Sequence, residues 1–357
     1  MLQWLKSAPR LAFKEQRRWL LLLSILSLSL AACAPGGPAP VEATPTLPVL
    51  VLPAQLAAYH VFVTDLGDGD LSELGMATVN GGKSLHGLAL SPDGRVVYAT
   101  DIADNRVDLY DVTGSAPRLL RTVTVGLYPV HVAFGPGGRF AYVTDFQGAT
   151  VSVVDVAQGR VVKTIQTPAG PHGLTASPDG RYMYVACLNG QALAVIDTTT
   201  NSLAQTLTLP ANAHPYSVVF GKDGRYLYIT DNFFGRVLVV DTTKLRDPAH
   251  AVVGGAAAGQ TPVLLAIAPD GKRLYITNSG GNLTVLDLTS DPTRPKLAAT
   301  VPVGRSPHGV AVSPDGRYVV VANIESGDLS VVDASNNMVV ATIKGESNPN
   351  DVLVTQG

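Results

Sequence analysis

Cysteine is nearly absent from this sequence of 357 residues, which contains only Cys33 and Cys187. Two cysteines cannot build a disulfide framework or a cysteine-based zinc or haem motif. Charge is also scarce, at 15% of the residues, with a formal net charge of −2. Because there is no basic excess to contact phosphates, nucleic acid is not expected as a partner.

The low charge also argues against a mostly helical protein or a coiled coil. The chain has 35 Gly and 25 Pro, residues that interrupt helices and occur in turns. An apolar content of 46% is enough for a large core and excludes a disordered chain. The composition therefore favours many short strands joined by tight turns.

The first 32 residues have the pattern of an export signal. Five basic residues and one acidic residue precede an apolar run that ends in Ala31-Ala32-Cys33. Leu30-Ala31-Ala32-Cys33 resembles the bacterial lipobox, in which the Cys is lipidated and becomes the mature N-terminus. We therefore expect residues 1–32 to be a lipoprotein signal peptide and Cys33 to carry acyl chains. The protein would be exported and lipid-anchored to the bacterial cell envelope, on the periplasmic or cell-surface side.

The segment that follows is rich in proline. Residues 34–57 contain six prolines, which prevent sheet pairing and favour an extended backbone. We predict that residues 33–57 form a tether. Without residues 1–32 the chain has 21 basic and 27 acidic residues, so the mature protein is acidic.

The rest of the chain repeats. Ser91-Pro92-Asp93-Gly94-Arg95 recurs in five variants, and the last Gly of each lies 42 to 47 residues after the previous one. Each copy predicts a hairpin turn, because Pro sets φ at its start and Gly supplies a positive φ at its end. Alternating Val, Ile, Leu and Tyr on both sides, and two further strands, give four strands per repeat. Four strands in a repeat of this length are typical of a β-propeller blade.

The two ends of the repeat region supply one more blade. Val61-Phe62-Val63-Thr64-Asp65 is a second strand with no first strand before it. Pro349-Asn350-Asp351-Val352-Leu353-Val354 is a first strand with no second strand after it. We predict an all-β, seven-bladed β-propeller over residues 58–357, with four antiparallel strands per blade, closed by the C-terminal strand joining the N-terminal blade.

With these motifs the chain resembles the YVTN β-propeller repeat family, over essentially all residues after 57. Relatives that share this resemblance include surface-layer proteins, periplasmic binding proteins, lactonase-like enzymes and the propellers of quinoprotein dehydrogenases and nitrous oxide reductase. The resemblance implies the fold, whereas the function has to be argued from a site.

Five of the seven histidines stand at the start of a first strand, where a propeller's central channel opens. Tyr and Asn residues accompany them, and three Phe residues lie in loops on the same face. The predicted binding residues are His86, Tyr128, His131, Phe146, His172, His214, Tyr216, Phe233, Phe234, His308 and Asn350. Imidazole binds copper, zinc and iron, so the five histidines are also candidate ligands of a transition metal. The alternative is that they hold the blade-entry turns by hydrogen bonds to the backbone.

An acidic turn and the second cysteine are better explained by a structural role than by a functional one. Asp65-Leu66-Gly67-Asp68-Gly69-Asp70 resembles a calcium loop but lacks the EF-hand order and the closing Glu, which favours a plain turn. Cys187 replaces the Asp or Asn that ends the other second strands and is expected to be inert.

No complete catalytic constellation can be named from the sequence. We therefore expect a non-catalytic scaffold that binds a protein, a peptide or a small molecule at the channel mouth. The alternative is a propeller enzyme, either a lactonase-like hydrolase or a metal-dependent oxidoreductase that uses the histidines.

Overall fold

The computed structural model describes residues 52–76 and 78–357, which form seven four-stranded antiparallel sheets. This confirms the predicted seven-bladed β-propeller. The predicted signal peptide, Cys33 and most of the tether lie outside the described residues. The strands, in chain order and grouped by blade, are β1 Tyr59–Asp65, β2 Asp70–Glu73 and β3 Val79–Asn80; β4 Leu85–Leu90, β5 Val96–Asp101, β6 Arg106–Asp111 and β7 Arg118–Thr124; β8 Pro129–Phe134, β9 Phe140–Asp145, β10 Thr150–Asp155 and β11 Arg160–Gln166; β12 Pro171–Ala176, β13 Tyr182–Cys187, β14 Ala192–Asp197 and β15 Ser202–Thr208; β16 Pro215–Phe220, β17 Tyr226–Asp231, β18 Arg236–Asp241 and β19 Val252–Ala257; β20 Pro262–Ile267, β21 Arg273–Asn278, β22 Asn282–Asp287 and β23 Lys296–Pro302; β24 Pro307–Val312, β25 Tyr318–Asn323, β26 Asp328–Asp333 and β27 Met338–Lys344; and β28 Pro349–Gln356, which completes the first blade.

Helical structure within the described residues is confined to short turns. Three 3₁₀ turns span Ala54–Leu56, Pro136–Gly138 and Thr242–Lys244, and one α-helix, α1, spans Pro248–Ala251. Leu56 is fully buried, so the last residues of the predicted tether pack onto the propeller. None of the helices in the described ranges has the length and apolar character needed to cross a bilayer.

The blades surround a common axis. Each blade's inner strand contacts the inner strands of both neighbouring blades, and the series β28, β4, β8, β12, β16, β20 and β24 returns to β28. Closure depends on β28, which pairs antiparallel with β1 from Tyr59↔Gln356 to Asp65↔Pro349. The C-terminal strand therefore joins the N-terminal blade, as the repeat count predicts.

The core lies between adjacent blades. Second-strand tyrosines such as Tyr142 and Tyr228 are buried, and the apolar clusters combine residues of two blades. One cluster, for example, packs Leu193 and Tyr184 of one sheet against Ile229 of the next. Burying each such aliphatic side chain stabilises the fold by roughly 1.5–3 kcal/mol.

The repeated turns lie at the opposite end of the inner strands from the histidines. In the first copy, Gly94 has a φ of 74° and Ser91 N donates to Val96 O at 2.8 Å. Asp93 accepts a hydrogen bond from the backbone N of Arg95. In other copies the basic side chain covers the next aromatic ring, as Arg181 does over Tyr182 at 5.2 Å. These cations are thus engaged locally.

Candidate functional site at the channel mouth

The inner strands share a bulge at the channel mouth. In β4, Leu85 pairs with Asp101 and regular pairing resumes three residues later, with Leu88 opposite Ala99. β8, β12, β16, β20 and β24 have the same interruption. Because a bulge releases residues from the alternation of a strand, both intervening positions can approach the channel axis. This explains why His131, offset by one position from His86, still reaches the site.

Four histidines meet at this point: His86, His131, His172 and His308, called here the histidine cluster. The ring centroid of His86 lies 5.2 Å from that of His131, 5.9 Å from that of His172 and 5.4 Å from that of His308. The centroids of His131 and His172 are 5.0 Å apart. The four residues come from four different blades, and the blades that carry His86, His172 and His308 are not neighbours of one another. Their side chains therefore meet across the channel.

Backbone carbonyls orient two of the rings. His86 Nδ1 lies 2.9 Å from Val130 O, and His308 Nδ1 lies 3.1 Å from Asn350 O. A carbonyl only accepts, so Nδ1 carries the proton and Nε2 keeps its lone pair. Buried His131 Nε2 and His172 Nδ1 have no hydrogen-bond partner.

Burial keeps the histidine cluster neutral. It lowers the pKa of His131 to about 3 and that of His308 to about 4, and it lowers the pKa values of His86 and His172 well below the usual value. Neighbouring histidines reinforce the effect on three of the four, because like charges disfavour protonation. At neutral pH the cluster therefore offers lone pairs and N–H groups rather than positive charge.

Asp351 is a site residue that the sequence analysis missed. Its Oδ2 lies 4.0 Å from His131 Nδ1, and its carboxylate accepts from the backbone N of Val352 and of Leu88. Burial raises its pKa to about 7. The signal was present in the repeat, because Asp351 stands where Gly309 stands in the preceding copy.

Tyr216 and Asn350 complete the inner part of the site. The Tyr216 hydroxyl lies 3.2 Å from His308 Nε2, and the Tyr216 ring lies 3.9 Å from that of His172. Asn350 is 1% exposed, and its Nδ2 donates to His86 O. Both were predicted as binding residues, and the structure brings both to the histidine cluster.

The remaining predicted residues form an outer rim. Phe146 contacts both His172 and Tyr128, with ring centroids 5.9 and 6.1 Å apart. His214 stacks on Phe233, which in turn contacts Phe234. Phe233 and Phe234 are 70% and 47% exposed. Thus His214, the histidine that precedes its proline, belongs to the rim.

The threonines of the second strands hold the site in place. Five of them donate their hydroxyl to an inner-strand carbonyl of the next blade; these pairs are Thr64 to His86, Thr100 to Val130, Thr144 to His172, Thr230 to Val263 and Thr277 to His308. Each carbonyl belongs to a residue at the bulge. The repeated Thr therefore fixes the neighbouring blade where the channel opens.

Replacing one of these threonines with Val is expected to lower the free energy of unfolding. In Thr277→Val the shape is kept but His308 O loses its 2.6 Å hydrogen bond, and an unsatisfied buried acceptor costs about 1–3 kcal/mol. Urea unfolding measures the change. Thr208→Val, at an exposed position of an outer strand, is the control. An equal loss of unfolding free energy in both variants would contradict a role of Thr277 in fixing the neighbouring blade.

Cys187 matches its predicted inert role in its surroundings. The thiol is fully buried, and burial raises its pKa to about 12. A thiol that stays protonated is a poor nucleophile.

Comparison with known proteins defines the family. The model of the lactonase, 7-bladed β-propeller family matches residues 75–168 and 147–344, which together span more than half of the chain. The chain belongs to this family. The chain is also 35% identical over 121 residues to the 6-phosphogluconolactonase of Pectobacterium carotovorum subsp. carotovorum (strain PC1). That match covers 32% of this chain and 36% of the relative, so the chain spans about a third of that relative's length.

Solved structures of lactonase propellers and other proteins share the fold. The periplasmic gluconolactonase of Pseudomonas aeruginosa has a TM-score of 0.68 at 20% identity, covering 83% of this chain and 98% of that one. Kuenenia stuttgartiensis hydrazine synthase has a TM-score of 0.66 at 20% identity, covering 76% and 95%. At these identities the likeness shows the fold alone.

Membership of the lactonase family overturns the prediction of a non-catalytic scaffold. That prediction is wrong, because the matching family and its named relatives point to a lactonase-like enzyme. The predicted alternative, a lactonase-like hydrolase, is the better interpretation. The scaffold was predicted because no complete catalytic constellation could be named from the residues, and Asp351 of β28 was not among those considered.

A metal-binding role for the five histidines stays a prediction. Within residues 52–76 and 78–357, no group of three or more His, Cys, Asp or Glu side chains is arranged to hold a metal ion.

Proposed function

We propose that this protein is a lactone hydrolase whose reaction takes place at the histidine cluster. The observation that carries the proposal is the pair formed by His131 and Asp351 at the mouth of a channel in a lactonase propeller. Both side chains are slightly exposed, at 12% and 13%, whereas His86, His172 and His308 are buried, so a substrate can reach this pair more readily than the other three histidines. Relatives named for 6-phosphogluconolactone and gluconolactone suggest the lactone of a sugar acid as the substrate.

The geometry supports general base catalysis by Asp351. Its carboxylate would accept a proton from water, either directly or through His131, while the water oxygen attacks the lactone carbonyl. The tetrahedral intermediate collapses by breaking the ring C–O bond. The protonated Asp351 then returns its proton to the departing ring oxygen, so that water and lactone yield one hydroxy acid and the enzyme is unchanged.

Neutral groups around the pair suit this chemistry. The Tyr216 hydroxyl donates to His308 Nε2, which accepts because the Nδ1 proton of that ring is donated to Asn350 O, so Tyr216 positions a neutral His308 beside the pair. The neutral imidazoles leave Asp351 as the group that titrates near neutral pH among those facing the site. The rim aromatics Phe146 and Tyr128 flank the opening and can pack against the ring of the substrate.

A direct assay tests the proposal. The purified protein is incubated with glucono-δ-lactone and with its 6-phosphate, and acid release is followed against the spontaneous rate. We expect a rate that is proportional to protein concentration and saturates with at least one of the two lactones. A rate equal to the spontaneous one with both lactones, for protein shown to be folded, would overturn the assignment.

The pH dependence is expected to follow Asp351. The base is the ionised carboxylate, and burial raises its pKa to about 7. We therefore expect kcat/KM to fall about tenfold per pH unit below about pH 7 and to level off above it. The measurement is the enzymatic rate between pH 5 and pH 8 or so, after subtraction of spontaneous hydrolysis. A flat profile would argue against a carboxylate base.

We also propose that the enzyme is an exported lipoprotein, which rests on the sequence of residues 1–33 alone. Cys33→Ser is expected to release the protein from membranes, as judged by fractionation and immunoblotting. Cys187→Ser serves as the matched control. Unchanged membrane retention of the Cys33 variant would refute lipid anchoring.

A further inference from the structure

We propose that a calcium ion binds where the propeller closes, between the turn joining β1 to β2 and the loop that enters β28. Its ligands would be the carboxylates of Asp70, Glu346 and Asp68, with the Ser72 hydroxyl. This place is called here the closure seam. The inference is independent of the proposed lactone hydrolysis, because the seam lies outside the histidine cluster.

Asp65 ties the two loops of the closure seam together. Its Oδ1 accepts from the backbone N of Gly67 and of Asp68, at 2.7 and 3.0 Å. Its Oδ2 accepts from the backbone N of Ser347 and of Asn348, at 2.9 and 2.7 Å. Four N–H donors satisfy this carboxylate, which leaves it to position the neighbouring acids rather than to bind an ion.

Two of the neighbouring acids, Asp70 and Glu346, each have a buried oxygen atom without such a partner. Asp70 is 6% exposed, and its buried Oδ1 has no hydrogen-bond partner. Glu346 Oε1 is likewise buried without a partner, whereas Glu346 Oε2 lies 3.4 Å from Ser72 Oγ. Side chains two residues apart on a strand share a face, so Asp70 faces the same side of β2 as Ser72 and Glu346. Two orphaned carboxylate oxygens therefore lie on one side of the seam.

The charge balance of the closure seam also calls for a cation. None of the ion pairs among the described residues involves Asp70 or Glu346. Burial and the neighbouring acids raise the pKa of Glu346 to about 8 and that of Asp70 to about 6. Buried carboxylates without a basic partner are costly unless they are protonated or bind a metal. A divalent cation would satisfy both orphaned oxygens at once.

Calcium fits the ligand set better than magnesium or a transition metal. It takes six to eight oxygen ligands at about 2.3–2.6 Å in flexible geometry, whereas Mg²⁺ demands a near-ideal octahedron. Asp68 is exposed at the tip of the turn, where water can complete the shell. Because no three acidic side chains of the described residues yet surround one point, Asp68 has to swing inward on binding. The ion would then join the N-terminal and C-terminal parts of the chain.

Calcium-dependent stability tests the proposal. The unfolding temperature of the purified protein is measured in EDTA, in millimolar CaCl₂ and in millimolar MgCl₂. At about 100 times the Kd, calcium is expected to raise Tm by roughly 5 °C, with a smaller effect of magnesium. Glu346→Gln is expected to reduce the calcium shift to below about 1 °C while leaving Tm in EDTA equal or higher, because Gln keeps the shape of the side chain and removes a carboxyl group that has no basic partner.

Glu73→Gln is the matched control. Glu73 lies on the same strand, is also buried with an unpartnered oxygen, but faces the other side of β2, where it contacts His60. It should leave the calcium shift intact. If Glu346→Gln fails to fold, the exposed Asp68→Asn gives the same test and should weaken the shift. Equal Tm of the wild-type protein in calcium and EDTA, or loss of the shift in Glu73→Gln alone, would overturn the calcium site.

Discussion

Replacing Asp351 with Asn is expected to reduce kcat/KM for lactone hydrolysis by about 10²- to 10⁴-fold, the range in which general base catalysis contributes. Asn keeps the shape of the side chain but cannot accept a proton from water. The variant should also lose the acidic limb of the pH profile, because the group that titrates there is gone. Initial rates at several pH values, corrected for spontaneous hydrolysis, measure both effects.

The stability of the same variant provides a second readout. Burial raises the pKa of Asp351 in the folded protein to about 7, whereas the unfolded value is near 3.8. The folded state thus binds more protons between these values, and its stability falls as the pH rises through this window. Asp351→Asn should remove that loss and be at least as stable as the wild-type protein at pH 8 or so.

Asp145→Asn is the matched control for Asp351→Asn. Burial also raises the pKa of Asp145, to about 6, but Asp145 is fully buried and lies at the end of a second strand, where Thr150 and Ser152 donate to it. We expect this variant to lose stability and to keep its activity per folded molecule. Equal loss of activity in the two variants would show that Asp351 acts through the fold rather than as the base.

Removing residues 349–357 is expected to abolish the folded state at 37 °C. The truncation deletes β28 and with it the pairing partner of β1, and it exposes the apolar cluster that contains Val61 and Val63. Loss of the buried Val352 and Val354 alone costs roughly 3–6 kcal/mol, a large part of the 5–15 kcal/mol typical of whole proteins. Circular dichroism and solubility measure the outcome.

Removing only residues 356 and 357 is the control for this truncation. Both residues are exposed, and their hydrogen bonds to Ala58 O are the main loss. This variant should fold with a slightly lower Tm. A normal thermal transition in the longer truncation would contradict the view that closure stabilises the ring.

The fold could be predicted from the sequence because each blade repeats the same local chemistry. The turn that contains Gly94 recurs at a nearly constant spacing, and the unmatched strands around Val61 and Val352 leave one closed arrangement. Because the pattern repeats, each type of strand occurs several times in the sequence. A residue such as His172 could be assigned to the channel mouth by its position in the repeat alone.

The site was only partly predictable, because its geometry depends on irregularities of the backbone. The bulge at the channel mouth lets His131 join His86 despite the offset, which a strictly alternating strand would forbid. Asp351 escaped notice because a single carboxylate at one repeat has no counterpart in the others. Its significance follows from burial and from the distance to His131, neither of which the sequence contains.

Two of the seven inter-blade joints lack the threonine, and both adjoin the histidine cluster. Ala186 and Ala322 stand at these positions. The carbonyl that would face Ala322, Asn350 O, is contacted by His308, and the one that would face Ala186 belongs to Tyr216. By comparison, Val130 O accepts from Thr100 of the preceding blade while it is also contacted by His86. The two alanine joints therefore each lack one side-chain hydrogen bond that the other five joints have, which makes them the places where the closed ring is held least firmly.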